Sequence, residues 1–530
     1  MEEIKLKADD FLAKAADLIP ANDRFVRLVL SGLSNRNLPS LMELTQLYAV
    51  RELILDGNGL EGAGIAPLAE SPYLRYLEVL SLNWNKLGNE GLAVLATSPN
   101  LANLNVLQLG HNEIEDAGVI RLAAADLAKL KTLVLAANPL GDAGIKALAL
   151  SPHLKNLARL NLLSTHIGGE GAEAIVNSPY LTGLAYFSCS QGRPPYLEFA
   201  PRSDIAEQLY SISLAAGREN HSSFSALNLN ATDLGDQWAG PILASPRLTG
   251  CQALDLFGCR VGPAGAKALA SSPYLADLTY LDLGGRALYG ETNQLGPKGA
   301  AALAASTHLN SLTYLNLTGN DLGDAGLSVL AKAGWLGQLK TLNLSFNSLG
   351  DDGLSALAKA QLPALSRLDL GANKIGDAGL AALAAATGLS NLETLNLGRP
   401  GDLDWSPHNS IGDVGVQALA ASSLLTHVID LDLSYNQVGD AGAAALAASP
   451  YLKELTYLNL CNNQLTNAGY QSLIDSPNLL KLQSIGLSNN RTELKMEYYY
   501  DWDGSVADYS FNREEAERLA GLFQQHPHIY

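Results

Sequence analysis

A single phrase recurs through most of this chain at intervals of 26–27 residues. One copy begins at Leu339 and reads Leu-Lys-Thr-Leu-Asn-Leu-Ser-Phe-Asn-Ser-Leu-Gly-Asp-Asp-Gly, followed by an alanine-rich segment. Other copies begin at Leu130, Leu312, Leu365 and Leu455. A fixed period of this length is typical of a solenoid, in which each unit buries its apolar edge against its neighbours.

Each unit combines a strand pattern, a turn residue and a helix pattern. The strand leucines alternate at period two, whereas the apolar residues after the turn follow the helical period. About seventeen units can be counted in this way. The turn slot contains Asn58, Asn85, Asn112, Asn138, Thr165, Thr232, Cys259, Asn293, Asn320, Asn347, Asn373, Asn409, Asn436, Asn463 and Asn490.

Three further signals recur around each predicted helix. An Asp at the helix start, such as Asp142 or Asp377, is expected to cap the exposed N–H groups of its own helix. A Gly two residues later, such as Gly144, is expected to let helix and sheet come close or to supply an unusual backbone angle. A Ser-Pro pair after many helices, such as Ser151-Pro152, is expected to end them.

These patterns predict an α/β solenoid. Strands that are each followed by a helix in the same sense should pair in parallel. Tight strands on the concave side and bulky helices on the convex side predict a horseshoe. We expect an N-terminal capping helix within residues 1–24, the solenoid over 25–490, and an inserted loop with a C-terminal capping helix over 491–530. The capping segments are residues 7–18 and the helix that begins near Asn512.

The combination of spacing, turn Asn and helix signature resembles leucine-rich repeats of the ribonuclease-inhibitor type. The phrases Leu-Gly-Asp-Ala-Gly and Ser-Pro-Tyr-Leu are most similar to bacterial proteins of that class and to GALA-type effectors. The resemblance implies a protein-binding role and names no partner, because fold alone does not determine function.

Composition narrows the classes of partner. A formal net charge of -18 argues against nucleic acid, which requires clustered Lys and Arg, and favours a partner with a basic patch. The first residues lack the apolar core of a secretory signal, and no apolar run is long enough to span a membrane. Four scattered cysteines favour a reducing compartment. We expect a cytoplasmic monomer, with signal-independent secretion of an effector as an open alternative.

Four insertions interrupt the repeat between strand and helix. They cover residues 190–202, 284–293, 398–410 and 488–511. Insertions confined to one face of a solenoid often mark its binding face. Arg, Tyr and Trp are enriched at interface hot spots. The candidate side chains in the insertions are Arg193, Tyr196, Arg286, Tyr289, Arg399, Trp405, Arg491, Tyr499 and Trp502. The alternative is that these loops collapse on their own aromatic residues.

The predicted concave face offers a second set of candidates. Between the last two strand leucines lies a polar row that includes Asp432, which would either receive a basic surface or simply be solvated. Most residues around this row are small. The exceptions are Trp84, His111, Phe257, Phe346 and Tyr435, which we expect to be exposed anchors.

No catalytic or cofactor motif stands out. Gly57-x-Gly59-x-x-Gly62 imitates a dinucleotide-binding fingerprint but is the turn and helix start of one repeat. The histidines are scattered and the Gly-Asp pairs are distributed one per repeat. We therefore expect no cofactor, no metal and no enzymatic activity.

Two functions remain open at this stage. The first is a non-catalytic scaffold that binds a protein through the concave face and the inserted rim. The second is an accessory to an enzyme, by resemblance to Ran GTPase-activating proteins or to GALA-type effectors that recruit substrates for ubiquitin ligation. The few residues ahead of Phe25 are too short for the F-box that the latter need.

Overall fold

The chain divides into two compact units. The first contains Met1–Arg260 and Ser272–Leu278, and the second contains Val261–Ser271 and Thr279–Tyr530. A computed structural model describes residues 2–19, 26–189, 224, 226–285, 292–399, 408–491, 497–500 and 506–510.

In the first unit, successive strands pair in parallel, as predicted. Equivalent leucines face each other across the strands, for example Leu80 opposite Leu107. The central residue of each three-residue strand is a buried Leu or, in β8, Phe187, which places it in the core between strands and helices. The strands are β1 (Glu2–Lys7), β2 (Val26–Ser31), β3 (Val50–Ile54), β4 (Val79–Ser81), β5 (Val106–Gln108), β6 (Thr132–Val134), β7 (Arg159–Asn161), β8 (Tyr186–Ser188), β9 (Ala226–Asn228) and β10 (Ala253–Asp255).

The helices of the first unit are short and bury one apolar side. In Asp142–Ala149, for example, Ile145 and Leu148 are fully buried. The α-helices are Ala8–Leu18, Leu38–Met42, Ala66–Glu70, Gly88–Ala96, Asp116–Ala123, Asp142–Ala149, Gly169–Val176 and Gly235–Leu243.

The second unit repeats this arrangement and adds an antiparallel pair. The paired strands β19 (Glu497–Tyr500) and β20 (Val506–Ser510) lie within the last predicted insertion. The parallel strands are β11 (Tyr280–Asp282), β12 (Tyr314–Asn316), β13 (Thr341–Asn343), β14 (Arg367–Asp369), β15 (Thr394–Asn396), β16 (Asp430–Asp432), β17 (Tyr457–Asn459) and β18 (Ser484–Gly486). The helices are Pro263–Ser271, Gly296–Ala304, Gly323–Leu330, Asp351–Leu357, Asp377–Ala384, Asp413–Ala420, Asp440–Ala448 and Asn467–Ile474.

The turn asparagines join neighbouring repeats. The side-chain oxygen of Asn347 accepts from the backbone N–H groups of Asn320 and Leu322 in the preceding repeat, at 3.1 and 3.3 Å. Its amide nitrogen donates to the Leu317 carbonyl at 2.8 Å and to the carbonyl of Leu344 in its own repeat at 3.1 Å. Both ends of the buried amide are thereby satisfied. The asparagine is selected because it carries a donor and an acceptor in one short side chain.

The expectation that each helix-start aspartate caps its own helix is wrong. The Asp142 carboxylate accepts from Gly168 N at 2.8 Å and Gly171 N at 3.0 Å, and both belong to the start of the next helix. Asp413 does the same for Gly439 and Gly442. Asp142 is the first residue of its own helix, and the N-cap residue of that helix is Gly141. The capping oxygen therefore comes from the preceding repeat.

The glycine that follows each aspartate is required for a different structural reason from the one predicted. A Cβ atom on Gly379 would lie 2.5 Å from an oxygen and 3.0 Å from the Cα atom of Asp351, in the preceding helix. Its backbone lies outside the left-handed region. Glycine is required because the start of one helix lies against the start of the previous helix, and not against the sheet.

The Ser-Pro pairs both end one helix and bind the previous repeat. The Ser449 hydroxyl donates to the Ala420 carbonyl at 2.6 Å, and the Ser98 hydroxyl donates to the Ala69 carbonyl at the same distance. The proline then begins a short 3-10 turn, such as Pro72–Leu74 or Pro152–Leu154. Each serine therefore satisfies a carbonyl near the end of a helix that has no partner within that helix.

The helix Gly169–Val176 packs directly on the helix Gly235–Leu243, although β8 separates β7 from β9 in the sheet. Arg247 contributes to this junction. Its guanidinium donates to the carbonyls of Leu181 at 2.6 Å, Ile175 and Val176 at 3.2 Å, and Leu184 at 3.3 Å. The group also lies 4.4 Å from the centre of the Phe224 ring. The predicted helix over residues 203–214 lies outside the described residues.

Of the two predicted capping segments, only the N-terminal one lies within the described residues. The helix expected over residues 7–18 extends from Ala8 to Leu18 and buries Phe11. Strand β1 precedes it and pairs with β2, which the sequence patterns did not predict. The segment from Asn512 lies outside the described residues. The boundaries at 24/25 and 490/491 and both capping functions remain predictions.

We predict that Arg247→Ala lowers the free energy of unfolding by about 3 kcal/mol, because several carbonyls would lose a charged donor. Burial lowers the pKa of Arg247 to about 10, so the side chain stays protonated at neutral pH. Urea unfolding followed by circular dichroism measures the loss. Arg260→Ala is the matched control, since Arg260 makes an exposed ion pair with Asp233 and should cost less than about 1 kcal/mol. Equal losses for the two variants would contradict this role.

Candidate interaction surface

In each unit, the residues on either side of the buried strand leucine form one surface, which we call the strand face. In β14, Leu368 is buried whereas Arg367 on the same strand is exposed. The chain leaves the strand face at the carboxyl ends of the strands. Since parallel strands share their direction, these ends form one edge in each unit, which we call its strand-to-helix edge. The predicted insertions at 284–293, 398–410 and 488–511 begin at this edge of the second unit.

The polar row on the strand face binds the backbone of its own chain. The Asp432 carboxylate accepts from Ser434 N at 2.7 Å and from the Asn459 amide at 3.1 Å. Asp255 accepts from Phe257 N at 3.0 Å in the same way. Asn side chains in this slot make the equivalent bond two residues on, in Asn316, Asn343, Asn396 and Asn459. The row therefore stabilises the bend that follows each strand.

Burial raises the pKa values of aspartates in this row. Asp432 is only 5% exposed, and burial raises the pKa of its carboxyl. Burial likewise raises the pKa of Asp255 to about 6, and that of the partly exposed Asp369 to about 6. These carboxyls thus do not form the freely solvated row that was one of the two expectations from the sequence. Whether Asp432 contacts a partner remains a prediction.

The raised pKa of Asp255 predicts that this carboxyl destabilises the fold at pH 7.5 relative to pH 5. Its ordinary value is 3.8 and its folded value is about 6, so the protonated form is favoured in the folded state. The stabilising contribution is complete below about 3.8 and is lost as the pH rises through about 6. Asp255→Asn should therefore raise the free energy of unfolding at pH 7.5 by about 2 kcal/mol.

Urea unfolding at pH 5 and pH 7.5 tests this prediction. Asparagine suits the site because Asn228 and Asn316 occupy the same slot and make the same backbone bond. The matched control is Asp277→Asn, at an exposed carboxylate, which should change the free energy of unfolding at pH 7.5 by less than about 0.5 kcal/mol. An Asp255→Asn variant that is destabilised at both pH values would contradict the assignment.

The residue before the turn residue has a left-handed backbone in most described repeats. At this slot Trp84 has φ 58° and Tyr435 has φ 55°. The conformation is unfavourable for residues with a Cβ atom and costs about 1–2 kcal/mol. Sequence reasoning missed this constraint, although Gly at three of the positions signals it. The positions are Gly57, Trp84, His111, Ala137, Ser164, Ala231, Gly258, Gly319, Phe346, Ala372, Tyr435, Asn462 and Asn489.

Trp84 and His111 form an exposed aromatic pair at this slot in neighbouring repeats. Their ring centres are 3.4 Å apart and the ring planes differ by 11°, so the rings are stacked. The Trp84 side chain is 62% exposed, and His111 is also exposed. The expectation that Trp84 is an exposed ring is therefore met, and a Cβ atom on Gly57 in the preceding repeat would meet no atom within 4 Å.

Arg399 lies at the start of the third insertion and contacts an aromatic candidate. Its guanidinium carbon is 4.0 Å from the centre of the Tyr435 ring. Arg399 is only 5% exposed, so it does not stand outside the repeat as the sequence suggested. Removing it is expected to affect stability as well as binding. The structure thus joins one residue of the insertion set to one of the concave set.

The remaining candidate residues differ in how exposed they are. Phe257 is only 4% exposed, so the expectation of an exposed ring is wrong there, because the surrounding fold covers it. Phe346 is half-buried and Arg491 is exposed. Tyr499 lies in β19. The candidates outside the described residues are Arg193, Tyr196, Arg286, Tyr289, Trp405 and Trp502.

The described ranges contain neither a metal-ligand cluster nor a membrane-spanning helix. No group of three or more His, Cys, Asp or Glu side chains there is arranged to hold a metal ion. None of the helices in that part of the chain is long and apolar enough to cross a membrane. All four cysteines are free thiols, and Cys189, Cys251 and Cys259 are buried.

Comparison with known proteins identifies the repeats. The leucine-rich repeat family profile matches nine segments, at residues 73–96, 100–123, 127–149, 153–176, 252–270, 308–331, 339–358, 362–384 and 425–447. These segments are leucine-rich repeats, and the predicted α/β solenoid class is confirmed. The narrower ribonuclease-inhibitor or GALA-like type remains a prediction. No curated protein sequence matches the chain.

Several solved structures are similar to the chain. A leucine-rich repeat protein from Leptospira interrogans is 20% identical over 100% of both chains, with a TM-score of 0.49. An internalin from Listeria monocytogenes is 22% identical over 86% of this chain and 94% of its own, with a TM-score of 0.46. The ectodomain of the Arabidopsis receptor kinase HAESA, bound to a peptide hormone, is 19% identical over 92% and 73%, with a TM-score of 0.44. These likenesses concern the fold alone.

Proposed function

We propose that this protein is a non-catalytic scaffold that binds a protein partner through the strand face and the strand-to-helix edge. Leucine-rich repeat proteins are generally protein-interaction scaffolds, and their fold is typically non-catalytic. The stacked pair of Trp84 and His111 is the observation that carries the proposal for this chain. A formal net charge of -18 favours a partner with a basic surface.

The backbone at this slot makes the choice of Trp84 informative. Gly57, Gly258 and Gly319 occupy the same slot, where glycine avoids the strain of the left-handed conformation. A tryptophan accepts that strain and in addition leaves a large apolar ring in water. Neither property benefits the isolated fold, whereas an exposed ring of this size is a suitable anchor for a partner.

The insertions offer candidate contacts in the second unit. Their described ends, such as Gly398 and Arg399, leave the repeats at the strand-to-helix edge of that unit. The contact of Arg399 with Tyr435 links an insertion to the aromatic slot of the next repeat. We infer that the insertions and the aromatic slot of the second unit contact a partner, because the polar row of that unit is already bonded to the backbone.

We predict that Trp84→Gly weakens partner binding at least tenfold, since truncating an interface anchor costs about 2 kcal/mol or more. The free energy of unfolding should change by less than about 1 kcal/mol, because relief of backbone strain offsets the lost ring stacking. Partners are first captured from cell lysate with the wild-type protein and identified by mass spectrometry. The affinity of the purified pair is then measured by calorimetry.

Ala137→Gly is the matched control, since it changes the same slot two repeats further on without removing a ring. It should bind the partner as the wild type does. Unchanged binding by Trp84→Gly, or an equal loss in Ala137→Gly, would overturn the proposed surface.

A further inference from the structure

The edge opposite the strand-to-helix edge contains an exposed group of tyrosines and arginines in the first unit. Tyr48 and Tyr76 come from adjacent repeats and are 40% and 42% exposed. Their ring centres are 4.8 Å apart in an edge-to-face arrangement, and their hydroxyl oxygens are 3.1 Å apart. Both residues precede their strands, so this group lies where the helices return to the sheet. It is separate from the strand face and from the strand-to-helix edge.

Two arginines are held against these rings. The Arg75 guanidinium carbon lies 4.5 Å from the centre of the Tyr48 ring and 5.1 Å from that of Tyr76, and Arg75 also donates to the Tyr48 hydroxyl. Arg51 lies 4.8 Å from the Tyr76 ring and donates to the Tyr48 carbonyl at 3.1 Å. The rings thereby restrict the motion of both cations, which lowers the entropic cost of binding an anionic group.

The positive charge continues along the same edge. Lys131 occupies the slot of Arg51 three repeats further on, and Lys129 occupies the slot of Tyr76 two repeats further on; both lysines are exposed. Lys129 donates to the Asn103 side chain at 2.8 Å, and Asn103 in turn donates to the Arg75 carbonyl at 2.9 Å. These contacts make the row continuous from Arg75 to Lys129.

The charge of this edge is opposite to that of the whole chain. Arg51, Arg75, Lys129 and Lys131 outnumber the nearby acidic residues Glu52, Glu78 and Asp126, and Glu52 is paired with Arg27, whereas the chain has a formal net charge of -18. In the described residues, Arg75 makes no ion pair with a carboxylate. A guanidinium has five N–H donors, so donors of Arg75 remain available to a ligand.

We propose that this basic edge binds an acidic, extended segment of a protein. Four neighbouring strands, spaced about 4.8 Å apart, cover about 14 Å, which matches roughly five residues of extended chain. Carboxylates of the segment would pair with Arg75, Lys129 and Lys131, and an apolar side chain would lie on the exposed tyrosine rings. Nucleic acid fits less well, because the acidic remainder of the chain would repel a long polyanion.

Fluorescence anisotropy of the full chain tests the proposal with a fluorescein-labelled probe, Glu-Glu-Trp-Glu-Glu. The matched probe Gln-Gln-Trp-Gln-Gln has the same length without the charges, and a five-nucleotide oligothymidylate tests for a preference for nucleic acid. We expect binding of the acidic peptide only, and loss of this binding at 1 M salt, where charges are screened within about 3 Å.

The combined substitutions Arg75→Gln, Lys129→Gln and Lys131→Gln should weaken binding about tenfold, as expected for the loss of three exposed charge pairs. The control combines Lys332→Gln, Lys359→Gln and Lys453→Gln, which remove the same net charge at exposed positions in the second unit. This control should bind as the wild type does, and circular dichroism confirms that both variants are folded.

Equal binding of the two peptides, a preference for oligothymidylate, or equal losses in the two variants would overturn the proposal. The Trp84→Gly variant should bind the acidic probe normally. A failure of this proposal is therefore distinguishable from a failure of the proposed scaffold function.

Discussion

The fold depends on a buried amide that serves two repeats at once. Each turn of the chain leaves backbone N–H groups that point toward the next repeat, and in most turns the asparagine of that next repeat accepts from them. In the turn at Asn320, for example, Asn347 accepts two such bonds. A buried N–H without a partner costs about 1–3 kcal/mol, so one repeat is incomplete without the following one. Stacking is therefore built into the turn.

The helices of neighbouring repeats are also joined by polar side chains, in this case aspartate and serine. An aspartate such as Asp142 caps the helix of the following repeat, and a serine such as Ser449 binds a carbonyl of the preceding repeat. Core leucines alone would allow neighbouring repeats to slide, because apolar contact has no direction. The polar rows remove this freedom, since each bond is satisfied in one register only. The glycine after each aspartate lets the helix starts approach closely enough for the cap to form.

Polar groups that already have partners within the fold are poorly suited to bind another protein. Asp255 and Asp432 lie on the strand face, yet their carboxylates already accept from the backbone, and burial raises the pKa of each. A partner would have to displace these bonds in order to use them. Side chains that the repeat does not need are better suited to binding. The Trp84 ring and the arginines beside Tyr48 and Tyr76 belong to this class.

The sequence by itself determined the period, the alternation of strand and helix, and the position of each turn residue, because these depend on local patterns that recur every 26–27 residues. It also located Trp84 as an exposed ring. Only the tertiary structure decided which group each polar side chain serves. Asp142 caps a helix that begins 27 residues later, and Arg247 binds carbonyls 63–72 residues away. Phe257 and Arg399 match the pattern of exposed residues but are buried, because burial depends on neighbouring repeats as well as on the residue's own slot.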